Sequence, residues 1–251
     1  MPEWVKGSID GIPAKAPYGT SLLHAARALG IDIPTLCHHE GLPPDGNCRL
    51  CLCEVSGKLV ASCMFPLRDQ GFAALTGSAK VMDARGFVLY LMLNRAPKSP
   101  RLIRLAHDYE AYGARVDPRF PLDRDGCVRC GRCARVCSLQ ASEAIDLAGR
   151  GPGRAVLAPF GRPPEDCLGC LACALNCPTG RIAFQDDGAT RRVWDRDFAL
   201  VPCPACGERR FTKEQLGHLG VESALCPECR RRAMAREILA ADSVISYKAR
   251  G

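Results

Sequence analysis

Apolar and polar positions alternate in short pieces at the start of the chain and then settle into helical spacing. The stretch Ser8-Ile9-Asp10-Gly11-Ile12 reads as strand, tight turn and strand, because Asp-Gly between apolar positions is a hairpin signal. Ser21 stands where it can cap a helix in which Leu22, Leu23, Ala26 and Leu29 recur near helical spacing, and Gly30 stops the run. Residues 78–126 follow another pattern. Val81, Phe87, Val88, Leu91 and Met92 mark one helix, and Leu102, Ile103 and Leu105 mark a second after the break Ala96-Pro97-Lys98-Ser99-Pro100. The most apolar stretch, Gly86 to Leu93, has the length of a buried helix, and no run approaches that needed to cross a bilayer. The segment from Gly149-Arg150-Gly151-Pro152-Gly153 through Arg162-Pro163-Pro164 is a loop by composition.

Cysteine changes this picture. A chain of 251 residues with 47% hydrophobic content fits one to three ordinary small domains, but 17 cysteines are far more than such domains need. Sixteen fall into spaced groups and Cys53 is left over. A secreted disulfide framework predicts a signal peptide, and Met1-Pro2-Glu3-Trp4-Val5-Lys6 has no apolar stretch of that kind. The cysteines are therefore expected to be metal ligands in a reducing compartment, the cytoplasm. The formal charge of +7 counts every cysteine as a neutral thiol. Four sites of four thiolates around dicationic cores contribute roughly −2 each, which brings the loaded chain to about −1. The basic excess then balances the metal centres, and no nucleic-acid partner is expected.

Cys127, Cys130, Cys133 and Cys137 recur forty positions later as Cys167, Cys170, Cys173 and Cys177. In C-x2-C-x2-C-x3-C, three closely spaced cysteines wrap three corners of one cubane, and the fourth leaves on the following helix to reach the other cluster. By that crossed rule Cys127, Cys130, Cys133 and Cys177 hold one [4Fe-4S] cluster, and Cys167, Cys170, Cys173 and Cys137 hold the other. Residues 118–187 thereby resemble the two-cluster bacterial ferredoxin domain. The second copy ends in Cys177-Pro178 as that motif does, whereas the first ends in Cys137-Ser138 and keeps its ligand. With four protein ligands each, these clusters have no open position, which points to electron transfer and away from substrate chemistry at iron.

Cys37, Cys48, Cys51 and Cys63 are spaced C-x10-C-x2-C-x11-C, wider at the first gap than the plant-type ferredoxin. Strand, hairpin, helix and cysteine loop is the order of a β-grasp ferredoxin. With Ile33-Pro34-Thr35-Leu36-Cys37 and Gly46-Asn47-Cys48-Arg49-Leu50-Cys51, residues 1–77 resemble the [2Fe-2S] domain that opens the large iron-sulfur subunit of complex I. The same domain opens the diaphorase iron-sulfur subunits of NAD-linked hydrogenases and many [FeFe] hydrogenases. Cys53 is read as a packed thiol, with substitution as a ligand the alternative. His38 and His39 are read as surface residues or as neighbours of the ligands, because four cysteines already suffice.

In the resembled proteins a segment between these domains supplies a histidine and three cysteines for a further [4Fe-4S] cluster. Here no cysteine lies between Cys63 and Cys127, so residues 78–117, including the stretch His107-Asp108-Tyr109-Glu110-Ala111-Tyr112, are expected to be a helical spacer without it. The pairs Cys203/Cys206 and Cys226/Cys229, with nineteen residues between them, have the spacing of a four-cysteine zinc ribbon over residues 195–251. Zinc is the assignment adopted and a fourth iron-sulfur cluster the alternative, since C-x2-C pairs serve both. This tail also resembles that of ferredoxin-like subunits of formate hydrogenlyase-type complexes.

The fold expected is α+β: a β-grasp [2Fe-2S] domain, a helical spacer, a two-[4Fe-4S] ferredoxin domain and a zinc-ribbon-like unit. No glycine-rich dinucleotide fingerprint or flavin site is recognisable. The resemblance implies a non-catalytic electron-transfer subunit of a hetero-oligomeric oxidoreductase. It would link an NAD(P)-reactive flavoprotein to a catalytic subunit such as a hydrogenase or formate dehydrogenase, or to a bifurcating or reductase module. The alternatives are a free-standing polyferredoxin and an iron-sulfur sensor with a nucleic-acid-binding zinc ribbon.

Overall fold

Asp10 and Gly11 both have positive φ, 50° and 79°, the pairing a two-residue type I′ turn demands. They join β1 (Trp4–Ile9) to β2 (Ile12–Pro17), so the hairpin expected from Asp-Gly is present. The computed structural model describes residues 3–109, 125–140 and 142–248. The part of the expected spacer after Tyr109, the first residues of the expected two-cluster domain and the last three of the chain lie outside them. The chain divides into two compact units, Met1–Gly161 with Ala172–Arg181, and Arg162–Leu171 with Ile182–Gly251.

In the first unit α1 (Leu22–Ala28) starts at Ser21, whose hydroxyl accepts the His24 N–H, and ends at Gly30 with φ +77°. Strands β3 (Leu52–Val55), β4 (Lys58–Ala61) and β5 (Phe72–Leu75) complete a mixed sheet of order β2-β1-β5-β3-β4. Only β1 and β5 pair in parallel, and the close approach there requires Gly7: a Cβ would lie 2.3 Å from the Phe72 carbonyl oxygen. Val5, Ile9, Leu22, Leu23, Ala26 and Ala74 pack between α1 and the sheet, together with Cys51, Cys53 and Cys63.

The spacer forms both expected helices, α2 (Ala79–Arg95), capped by Ser78, and α3 (Pro100–Asp108), opened by Pro100. Their buried faces carry only some of the apolar residues that mark them. Val81, Arg85, Leu89 and Met92 are buried on α2, and Leu102 and Ala106 on α3, at i, i+4 and i+3 steps. Phe87 is 51% exposed and Ile103 42%.

The rest of this unit contains α4 (Arg132–Leu139), α5 (Ala172–Leu175) and an antiparallel pair, β6 (Asp146–Ala148) and β7 (Ala155–Leu157). The Gly/Pro-rich insert is thus not all loop, because its Ala155-Val156-Leu157 completes a short hairpin. In the second unit β8 (Phe184–Asp186), β9 (Thr190–Val193), β10 (Arg196–Pro202) and β11 (Arg209–Thr212) form an antiparallel meander. The expected start at 195 falls inside this sheet, at the Trp194–Asp195 turn. Helix α6 (Lys213–His218) opens on a full capping box between Thr212 and Gln215, and α7 (Pro227–Lys248) follows. Phe198, Leu200, Val193 and Leu216 are buried. Among the described residues no helix is long and apolar enough to cross a membrane.

Candidate iron-sulfur and metal sites

Cys37 sits in the loop after α1, Cys48 and Cys51 in the loop before β3, and Cys63 in the turn after β4, and all four are buried. The Cys37 N–H donates to the Cys48 sulfur and the Cys48 N–H to the Cys37 sulfur, both at 3.4 Å. Hydrogen bonds from Cys37 and Cys63 bring the thiols of Cys48 and Cys51 down to about 6, while the donors Cys37 and Cys63 are pushed far up. Four thiols this close, with amide N–H groups turned toward sulfur, suit a shared positive core. Gly46, at φ +64°, is needed in this loop because a Cβ would meet Met64 Cγ at 2.6 Å.

Cys53 is fully buried behind this set, and burial pushes its thiol up to about 11. Its surroundings are those of a packed thiol: the sheet core on one side and Arg85 on the other, whose Nε donates to the Leu52 carbonyl at 3.1 Å. His39 is exposed, but His38 is buried beside Cys37, and with His24 and Glu40 it forms a polar cluster that sequence spacing did not reveal.

In the first unit Cys127, Cys130, Cys133 and Cys177 lie close enough that the charge of Cys177 bears on each of the other three. Burial raises the Cys130 thiol to about 11 and that of Cys133 to about 12. Such thiols become ligands only when a metal core supplies the charge they lose in leaving water. Arg132 places a buried guanidinium beside Cys130 and Cys177. Cys133 and Cys137 are one turn apart on α4.

The sequence repeat is also a repeat of backbone shape. The N–H of Arg129 donates to the Cys127 sulfur, and that of Gly169 to the Cys167 sulfur, each at 3.4 Å. Arg129 and Gly169 have φ +56° and +64°, and Gly131 and Leu171 have +72° and +60°. Successive N–H groups in such conformations form an anion-binding concavity. Cys167 and Cys170 belong to the second unit, and Cys173, Cys177 and Cys137 to the first.

The N-terminal set and the first C-x2-C-x2-C motif meet directly within the first unit. Cys37, Cys48, Leu50 and Cys130 share one apolar cluster with Leu89 and Met92 of α2 and Leu102 of α3. Asn47 donates to the Arg129 carbonyl at 2.6 Å, and Arg135 on α4 donates to the carbonyls of Pro43 and Cys37. Arg95, at the end of α2, donates to the Cys127 carbonyl at 2.8 Å.

In the second unit the sulfurs of Cys203, Cys206, Cys226 and Cys229 lie within 4.8 Å of one another. The Cys206–Cys226 separation is 3.7 Å, close to the roughly 3.8 Å that bonds of about 2.3 Å impose on a tetrahedral site. The Cys226 N–H donates to the Cys203 sulfur at 3.3 Å, and backbone donors of this kind bring that thiol down to about 6. This donor set fits zinc and an iron-sulfur core equally.

Residues 3–74 match the 2Fe-2S iron-sulfur cluster binding domain family, and residues 126–181 the 4Fe-4S dicluster domain family. The chain is an iron-sulfur protein in which a 2Fe-2S domain precedes a dicluster domain. It is 31% identical to NADP-reducing hydrogenase subunit HndD of Solidesulfovibrio fructosivorans, over 77% of this chain and 37% of the relative. It is 29% identical to NADPH-Fe(3+) oxidoreductase subunit alpha of Geobacter sulfurreducens (strain DL-1 / KN400), over 79% of this chain and 26% of the relative. It thus spans about a quarter to two fifths of the length of these curated relatives. Among solved structures, a chain of an NAD+-reducing [NiFe]-hydrogenase in the H2-reduced state superposes with a TM-score of 0.54 at 26% identity. That match covers 62% of this chain and 75% of the other.

Proposed function

We propose that the chain is the electron-transfer subunit of a multisubunit oxidoreductase, relaying single electrons between an NAD(P)-reactive flavoprotein and a hydrogenase, formate dehydrogenase or related module. Cys37, Cys48, Cys51 and Cys63 hold a [2Fe-2S] centre in a β-grasp domain, and the two repeated motifs hold two [4Fe-4S] centres in the crossed arrangement. Cys203, Cys206, Cys226 and Cys229 hold zinc. These iron centres supply one-electron redox capacity. The residues around them exclude water, donate N–H groups to sulfur and hold the ligand sets in register.

One observation carries the reading: the N-terminal set and the first motif lie against a single buried cluster, tied by Asn47 and Arg135. An apolar, hydrogen-bonded seam between two redox sites is what a relay needs, and a pair of unrelated metal staples would not require it. The relatives support the partner class, since their names describe subunits of an NADP-reducing hydrogenase and of an NADPH-linked oxidoreductase. Cysteines grouped as ligand sets suit a reducing, cytoplasmic setting.

NADH delivers a hydride and these centres take single electrons, so a flavin is needed between them. The test mixes the fully loaded, flavin-free chain with NADH under anaerobic conditions. Its visible absorption should stay unbleached until the copurifying flavoprotein is added. Rapid bleaching by NADH alone would reject the subunit reading.

A further inference from the structure

Three side chains outside the cysteine sets converge on one point of the first unit. His24 on α1 turns its Nε2 to Glu40 Oε2 at 3.1 Å, and His38 turns its Nε2 to Glu40 Oε1 at 3.3 Å. Zinc binds nitrogen and oxygen at about 2.0–2.2 Å, which puts neighbouring ligand atoms of a tetrahedral site about 3.3–3.5 Å apart. The spacing found is close to that, before any metal draws the groups together.

Both rings are held in place. Ser21 Oγ lies 2.7 Å from His24 Nδ1, so a proton on Nδ1 leaves the Nε2 lone pair facing the cluster, as second-sphere partners of metal-bound histidines do. The His38 side chain is 6% exposed, and its ring stands edge-on to that of His24 with centroids 5.5 Å apart. Its Nδ1 is buried without a partner, so packing fixes this ring and leaves Nε2 as its only engaged atom. Glu40, by contrast, is exposed. Arg27 competes for it, bonding Glu40 Oε1 and reaching Thr35 Oγ1 at 3.3 Å. A pair at so exposed a carboxylate is weak and easily displaced.

We propose that His24, His38 and Glu40 form a binding site for a divalent transition metal of borderline softness, zinc foremost, with a fourth position open to water. The donor set is two imidazoles and a carboxylate, chemically unlike the four-thiol sets. It adjoins Cys37 in sequence, so a bound dication favours the more negatively charged, reduced state of the neighbouring thiolate-held centre.

The full chain, with its iron-sulfur centres and its C-terminal metal site loaded, is titrated anaerobically with Zn2+ by calorimetry. One further zinc per chain is expected. His24→Ala and Glu40→Gln, both at solvent-facing side chains, should weaken it about tenfold or more, and Arg27→Gln should tighten it by removing the competitor. In parallel, the midpoint potential of the [2Fe-2S] signal should rise on adding Zn2+ to the unaltered chain and not to His24→Ala. Absence of a further zinc overturns the proposal. So does a further zinc bound equally well by His24→Ala and Glu40→Gln, which would place it elsewhere.

Discussion

The N-terminal and C-terminal cysteine sets are both groups of four thiols, the first drawn from loops and turns and the second from loops and the first turn of α7, yet they sit in different surroundings. Cys37, Cys48, Cys51 and Cys63 are all buried, against the sheet on one side and the spacer helices on the other. In the C-terminal set Cys203 and Cys226 are buried, Cys206 is exposed and Cys229 is intermediate. On the assignments proposed above, the difference would separate two uses of the same ligand. A centre that changes charge is tuned by its dielectric and by nearby dipoles, so its thiolates repay enclosure. A structural ion keeps one charge and has only to close four bonds, which it can do at the surface.

The largest expected effect tests that contrast at the ligands. The intact chain should contain about ten iron atoms, two from one centre and four from each of two others, with one zinc. Cys37→Ser should remove the [2Fe-2S] paramagnetic signal and leave the [4Fe-4S] signals. Cys229→Ser should remove the zinc and leave the iron. If the chain instead holds about fourteen iron atoms, and Cys229→Ser loses four of them, the C-terminal set is a redox centre and the comparison fails.

A smaller effect concerns how the second unit is held together. Phe198 is fully buried, stacks under the Arg196 guanidinium and covers Gly169, where a Cβ would lie 2.7 Å from its ring. Phe198→Ala should cost about 3–5 kcal/mol, seen as a lower midpoint for denaturant unfolding of this sheet and faster loss of zinc to a chelator. The N-terminal [2Fe-2S] signal should persist under the same conditions. Loss of that signal together with the zinc would mean that the two sets do not have separate stabilities.

Much of this organisation was legible in the residues. Asp10-Gly11, the Ser21 cap and the Gly30 stop each act through the backbone of one or two residues, so each could be read locally. The cysteine spacings fixed the repeat, whose two copies adopt matching positive-φ conformations. The polar cluster at Glu40 was not legible, because His24 and His38 meet only when α1 folds back on the Cys37 loop. The contact between the first motif and the N-terminal set was equally hidden. It depends on Asn47 and Arg135, whose partners lie 82 and 98 positions away. The two helices of the spacer were legible, but which of their apolar residues are buried was not. Arg85, a charged residue at a core position, breaks the apolar period there and is held by the Leu52 carbonyl of β3, with the Cys53 sulfur and the Tyr109 ring beside it.

The smallest expected effect is none at all, and it tests whether the spacer holds a centre of its own. In the proteins this chain resembles, a histidine in this segment is an iron ligand. Here His107 is the histidine nearest in position, at the C-terminal end of α3 with its side chain 86% exposed and Asp108 3.6 Å away. The faces that α2 and α3 turn inward carry Val81, Leu89, Met92, Leu102 and Ala106, none of which can ligate iron as a thiolate or imidazole does. No cysteine occurs anywhere between Cys63 and Cys127 to complete a set. His107→Ala should therefore leave iron content, the paramagnetic signals and the unfolding midpoint unchanged, with any stability change within about 0.5 kcal/mol. Loss of about four iron atoms in this variant would show that the spacer contributes to a cluster, and the contrast between the enclosed N-terminal set and the more exposed C-terminal set would have to be redrawn around it.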